Sequence, residues 1–441
     1  MAEVTSAASG KGRDSRGAGG QDGRLLLDAV LLVERALAAS GSEGTEPVGG
    51  PGGPAPLHRD KVRCEAAMLL RAAYPLADRE PGLAPALSRL ADELDATNAE
   101  ELAVRLCLHP GIALDLALVP LHLRALGLGD RRLDSLLSDL LGTDRLRGPE
   151  RPANRQLEQV WLQGLWSGEA EHASAAPALS ASSLAWEFDH LAGTTDDAYA
   201  FTHAILYATD HGRHRVALPR PVGEIESDAE AILAVALDAG NHDVAAEVLW
   251  TWPMLGLPWT PLAAAAGAFL ADVSESNGFL PGPGFDPVVY EGLPLPERDD
   301  HVLRTSYHTT LVHGLLLAAT MNRDARSEPA RAAGFAGSPT AHGTSGADAI
   351  TALLPSSATA TAWWSRFAQL PAARRDLLAP SLVTMALRRA ATAADLSAVQ
   401  QALSVAEECG IAESPPTRQA RVLLRRAVAC AQLSVVADVP G

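Results

Sequence analysis

Apolar positions recur at helical spacing along most of the chain, and β-branched runs are scarce. Leu25, Leu26, Val30, Leu31 and Val33 predict a short helix over 25–39, set between Gly- and Ser-rich residues 1–23 and a Gly/Pro-rich stretch at 40–56. From Lys61 to Trp166 the helical period returns, broken at Pro75, Pro81, Pro110, Pro120 and Gly127 to Gly129. Residues 168–183 are mostly small and read as a linker. Beyond them, Thr194 or Thr195 supplies an N-cap, Asp196 and Asp197 suit the positive end of a helix, and Gly212 stops it. Ser227-Asp-Ala-Glu230 reads as a capping box that starts another helix, and Ala239 to Asp243 turns the chain into an antiparallel partner. A third helix is predicted over 261–273, then an aperiodic loop over 274–286. Asp299 or Asp300 starts the helix of His301 to Met321. Residues 324–360 are rich in Gly, Ser, Thr and Ala, and helical patterning resumes over 361–436.

The division implied is a flexible region with one short helix (1–60), a helical region (61–170), a core of hairpins (183–323), a flexible linker (324–360) and a C-terminal helical region (361–441). Composition agrees with an all-α class: Ala and Leu dominate, aromatic content is 5%, and 47% hydrophobic residues suffice for a sizeable core. A formal net charge of −17 opposes binding to nucleic acid or anionic lipid, leaving small molecules or peptides as the expected partners. The four cysteines, Cys64, Cys107, Cys409 and Cys430, form no C-x-x-C pair and read as buried thiols of a reducing compartment. With no apolar leader and no long apolar span, the expected location is the cytoplasm, and the Ala, Gly, Pro and Arg usage suggests a bacterial genome rich in G and C.

Candidate chemistry centres on the helix of 194–212. At roughly 100° per residue, His203, Tyr207, Asp210 and His214 fall along one stripe of an otherwise apolar helix. Burying an imidazole and a carboxylate costs several kcal/mol unless each is paired, hydrogen-bonded or metal-bound. His301, Arg304, Thr305 and His308 form a second stripe, with His308 the inward residue and His313 turned roughly 140° away. Three readings keep these groups inward: His203, Asp210 and His308 as ligands of iron, copper or zinc; His203, Tyr207 and Asp210 in metal-free acid–base catalysis; or hydrogen-bonded histidines that hold structure or ligand. Trp186, Trp250, Trp252 and Tyr307 are candidate walls of a ligand pocket, against the simpler role of closing the ends of a helical core. Neither a P-loop, a Rossmann glycine fingerprint nor a G-x-S-x-G elbow occurs.

Helix pairs joined by loops such as Ser276-Asn-Gly-Phe-Leu-Pro-Gly-Pro283 resemble the α/α toroids of six-hairpin enzymes, terpene-cyclase-like and glycosidase-like folds among them. The string Thr202-His-x-x-x-Tyr-x-Thr-Asp-x-Gly212, followed by Ser306-Tyr-His-Thr-Thr310, is similar to an uncharacterised bacterial all-α domain family over about residues 183–323. The resemblance implies a toroid-like or helical-hairpin array with a central pocket. The acidic motifs of both terpene cyclase classes are missing. The expected function is an enzyme acting on a small organic molecule or modified peptide in a bacterial specialised pathway. Its competitor is a non-catalytic helical scaffold, which the lack of a strict 30–45-residue repeat disfavours.

Overall fold

The computed structural model describes residues 16–40, 57–96, 99–142, 148, 150–168, 172–326, 346–354 and 361–437. Every regular element among them is a helix, as the Ala/Leu-rich composition requires. The first half contains α1 (Arg16–Ser40), α2 (Arg59–Ala73), α3 (Leu83–Asp95), α4 (Ala99–Leu108), α5 (Ala113–Leu116), α6 (Leu118–Ala125), α7 (Arg131–Gly142), α8 (Ala153–Ser167) and α9 (His172–Ser180). The middle contains α10 (Thr195–Thr209), α11 (Val222–Asp238), α12 (His242–Leu249), α13 (Thr251–Leu255), α14 (Pro261–Asn277), α15 (Pro287–Gly292) and the long α16 (Leu295–Arg326). The C-terminal part contains α17 (Gly346–Thr351), α18 (Ala362–Ala368), α19 (Ala372–Leu377), α20 (Ala379–Thr392), α21 (Leu396–Glu408) and α22 (Pro415–Ala437).

Several boundaries differ from those the sequence predicts. Helix α1 begins at Arg16 rather than Leu25, so a polar Gly-containing turn is helical because the apolar stretch behind it is docked. The stretch read as a linker at 168–183 carries α9, with Pro177 inside it, and α17 lies within the segment read as loose at 324–360. Ser227 does not start α11. The helix begins five residues earlier, at Val222 after Pro221, and the Ser227 hydroxyl donates to the Gly223 carbonyl inside it. Helix α16 likewise starts at Leu295 and not at Asp299 or Asp300. The remainder of the aperiodic stretches at 1–15, 41–56, 327–345 and 355–360 lies outside the described residues.

Helix contacts close on themselves: α2 packs on α16, α16 on α12, α12 on α10, α10 on α8, α8 on α6, and α6 on α2. Helix α1 lies along α16 and also touches α2 and α14, while α11 covers α12 and carries α20. The approach of α1 to α16 is tight at Gly314, where a Cβ would stand 2.9 Å from the Ala29 Cβ. A single apolar cluster runs from Leu25 in α1 to Ala420 in α22, and a smaller one from Leu102 to Leu165 joins α4 to α8. At roughly 1.5–3 kcal/mol for each large apolar side chain removed from water, these clusters outweigh the cost of the polar groups enclosed within the ring.

Candidate functional site

Helix α10 is the link of the ring between α12 and α8, and its two ends are fixed by different devices. At its start, the Thr194 side chain accepts from the Asp197 N–H while Asp197 accepts from the Thr194 N–H, a reciprocal capping box. At its end, Asp210 (φ 47°), His211 (φ 56°) and Gly212 (φ 82°) follow one another in the left-handed region. Two non-glycine residues in succession there cost about 1–2 kcal/mol each. The turn is held by His211 N–H to the Leu206 carbonyl (3.0 Å), His214 N–H to the Thr209 carbonyl (2.9 Å) and Gly212 N–H to the Thr209 hydroxyl (3.0 Å). A Cβ on Gly212 would lie 2.9 Å from the Met254 Cα, so glycine is required for the close approach as well as for the φ.

At the N-terminal half of α10, carboxylates from three other helices gather around two histidines. His203 Nε2 lies 3.0 Å from Glu247 Oε1 of α12, which also accepts from the Thr202 hydroxyl at 2.7 Å. Its ring lies between those of Tyr199 and Tyr207, with centroids 6.1 and 5.8 Å away. One helical turn earlier on α12, Asp243 accepts from the Tyr199 hydroxyl at 2.5 Å and from the Thr309 hydroxyl at 2.7 Å. His308 of α16 stands between two acids: Nδ1 is 3.0 Å from Glu65 Oε1 of α2 and Nε2 is 4.0 Å from Asp243 Oδ1. The Nδ1 contact is an ion pair without hydrogen-bond alignment, so Nδ1 and Glu65 Oε2 lack hydrogen-bond partners among the described residues. Tyr207 extends the arrangement to α8 by donating to Glu158 Oε1 at 2.9 Å. The side chains of His203 and His308 remain 33% and 36% exposed, whereas Glu247, Asp243 and Glu65 are 5%, 3% and 13% exposed.

The electrostatics follow from these neighbours. For His308, burial disfavours the charged ring, but Glu65 and Asp243 together outweigh it and the pKa is raised. For Glu65, burial acts upward and His308 downward, and the result is a pKa below the usual carboxylate value. Burial, reinforced by Glu158, raises the Tyr207 phenol; burial, reinforced by Asp243, raises that of Tyr199. Both tyrosines therefore stay protonated and act as donors. Cys64, beside this cluster on α2, is pushed up to about 12, chiefly by burial, and is an inert thiol.

The C-terminal end of α10 is built on the opposite principle. Asp210 receives both Nη atoms of Arg71, at 2.7 and 2.6 Å, and the Trp161 indole N–H at 2.6 Å, while His214 Nε2 lies 3.8 Å away. Burial opposes its ionisation, yet Arg71 and Arg213 more than offset this and hold the carboxyl far below its usual range. His211 is stacked on Trp161 (5.3 Å) and meets Trp250 edge-on (5.1 Å); burial drives its pKa down to about 3. His122, also against Trp161, is fully buried and lowered well below 6.5 by the same desolvation. Both nitrogens of His122, Nε2 of His211 and the Trp250 indole nitrogen are without partners among the described residues.

The stripe expected on α10 is thus divided. His203, Tyr207 and His308 each face a carboxylate, Glu247, Glu158 and Glu65 respectively, whereas the Asp210 carboxylate is occupied by Arg71 and Trp161. Among the described residues no three His, Cys, Asp or Glu side chains are grouped to hold a metal ion, so the proposed ligand set of His203, Asp210 and His308 is not assembled in this geometry. Of the four aromatic residues expected around a pocket, Trp250, Trp252 and Tyr307 are buried in the core, Trp252 stacking on Trp259 at 6.3 Å, and Trp186 is 56% exposed. The cysteines also differ from expectation: Cys107 and Cys430 are exposed and Cys64 and Cys409 half-buried, and none of them is in a disulfide. Sequence reading missed Glu65, Glu158, Asp243, Glu247 and Arg71. The available signal was Asp243 and Glu247 at i,i+4 in the otherwise apolar Val-Ala-Ala-Glu-Val-Leu segment, acids where a buried face was due. No helix among the described residues is long and apolar enough to cross a membrane.

No curated protein and no solved structure matches the chain. A family model described as a domain of unknown function, DUF6895, matches residues 33–318 and so takes in the last turns of α1, all of α2 to α15, most of α16, and every group of the two α10 ends. With well over half of its length matched, the chain belongs to the DUF6895 family.

Proposed function

We propose that this protein is an acid–base enzyme acting on a small organic molecule or a modified peptide, with His203 and His308 as the proton-transfer groups. One observation carries the reading: two part-exposed imidazoles each stand 3.0 Å from a carboxylate largely shielded from solvent, His203 from Glu247 and His308 from Glu65. Nε2 of His203 lies beside Glu247, which leaves Nδ1 as the atom that accepts a proton from a substrate. His308, held between Glu65 and Asp243 and favoured in its protonated form, suits the complementary role of proton donor. Packing alone would not gather four acids here, because buried like charges repel and apolar residues of similar volume are at least as stabilising. The closed set of helix contacts supports an α/α-toroid-like arrangement, and the bacterial specialised pathway rests on the resemblance of the motifs. The Asp210 end supports the alternative, a non-catalytic scaffold or ligand-binding protein, since its charges satisfy one another.

The test is incubation of bacterial metabolite extracts with wild-type protein and with a folded His203→Ala/His308→Ala double variant, followed by untargeted mass spectrometry. Depletion of a compound and appearance of a product with wild type alone is the expected result. Identical profiles for the two proteins, at matched folding by circular dichroism, would overturn the enzymatic reading.

A further inference from the structure

The turn that follows α10 presents an unusual amount of positive charge for a chain with a net charge of −17. It forms one wall of a cleft of about 350 Å³, to which Arg213, His214 and Arg215 contribute from the turn and Asn322 and Arg323 from the end of α16. Among the described residues no Asp or Glu lines this cleft. The nearby Asp210 is already neutralised by Arg71, so the field inside is cationic. The opposite wall is apolar, formed in part by Pro75, Met254 and Leu255.

Two features distinguish this cleft from an ordinary basic surface. Arg215 has neither a hydrogen bond nor an ion pair with any described residue, and it stands in a segment whose backbone is held in the left-handed region at three successive positions. Such strain persists only where the surroundings enforce it, and it clusters at ligand sites. His211 also lines the cleft, and its buried Nε2 has no partner among the described residues. Arg323 is anchored by one Nη to the Leu257 carbonyl, which fixes the plane of its guanidinium. A guanidinium with free N–H donors is matched to the oxygens of a tetrahedral dianion, which accept paired N–H bonds.

We propose that this cleft binds the phosphoryl group of a small organic phosphate, with Arg215 and Arg323 as the principal contacts and the Met254 side receiving the organic part. The site is separate from the acid–histidine cluster, and the inference does not rest on the enzymatic reading. Titration of the full-length protein with sodium pyrophosphate and with phenyl phosphate, at constant ionic strength, tests it by calorimetry and thermal denaturation. Saturable one-to-one binding is expected, with a higher melting temperature. Arg215→Glu should weaken it by about tenfold or more and Arg323→Gln by a comparable factor, whereas Arg215→Lys should stay within about threefold. Arg426→Glu, which makes the same charge change on exposed α22, should leave affinity unchanged. Pyrophosphate no more effective than sodium chloride at equal ionic strength would overturn the proposal, as would equal losses in the Arg215→Glu and Arg426→Glu variants.

Discussion

The two ends of α10 carry the same kinds of side chain and use them in opposite ways. At one end His203 and His308 keep about a third of their side chains in solvent and face acids. At the other, His211 and His122 are buried against Trp161, with Nε2 of His211 and both ring nitrogens of His122 unpartnered among the described residues, and the acid, Asp210, faces an arginine instead. The pKa directions diverge accordingly, up for His308 and down to about 3 for His211. An imidazole is therefore defined here by its neighbours. Groups that can exchange protons lie at the acid end, while the Asp210 end is a locked fixture whose charges complete one another.

The largest expected effect comes from breaking that fixture. Asp210→Asn leaves Arg71 buried without its counter-charge and should cost about 3–5 kcal/mol, read as a lower midpoint in urea unfolding. A loss below about 1 kcal/mol, the range of an exposed ion pair, would erase the distinction between the two ends.

Acid titration sharpens the contrast through its sign. The folded state keeps His211 neutral, so its contribution is intact above pH 6.5 and is lost as pH falls toward 3, at about 1.4 kcal/mol per pH unit for one such group. His211→Asn should flatten the stability profile of the protein between pH 4 and 6 by that slope. His308 has the reverse sign: its raised pKa makes its contribution fully present below pH 6.5 and lost as pH rises through the folded-state value. Glu65, with a lowered pKa, contributes above pH 4.5 and loses its effect as pH falls through its own folded-state value. The pair therefore stabilises most strongly between pH 4.5 and 6.5. Histidine ring proton shifts followed by NMR should show His308 titrating above, and His211 far below, an ordinary histidine.

Gly212→Ala should cost about 2 kcal/mol, because the left-handed φ and the close Met254 backbone both oppose a Cβ. Its melting temperature should fall, with loss of ordered signals concentrated in 210–215. The smallest effect belongs to His203→Ala, which should change stability by less than about 1 kcal/mol, since the pair with Glu247 is partly solvated. A destabilisation equal to that of Asp210→Asn would move His203 into the structural class and remove the basis for the acid–base proposal.

Helical class, the N-cap at Thr194 and the stripe of His203, Tyr207 and Asp210 were all legible from local pattern, because propensity, capping and the 3.6-residue period are properties of neighbours in the chain. Boundaries were less legible. Arg16 to Arg24 and Gly346 to Thr351 are helical in spite of their composition, because docking of an adjoining apolar face, and not intrinsic preference, stabilises a short helix. The partners of the stripe were beyond reach altogether. Arg71 lies 139 residues from Asp210, and Glu247 and Glu65 approach His203 and His308 only because α2, α12 and α16 close around α10. Local sequence thus determined the helices and the spacing of the polar groups along α10. Tertiary packing alone decided which of them would be paired with arginine and locked, and which would meet acids at an opening to solvent, since charge and desolvation depend on neighbours that only the fold supplies.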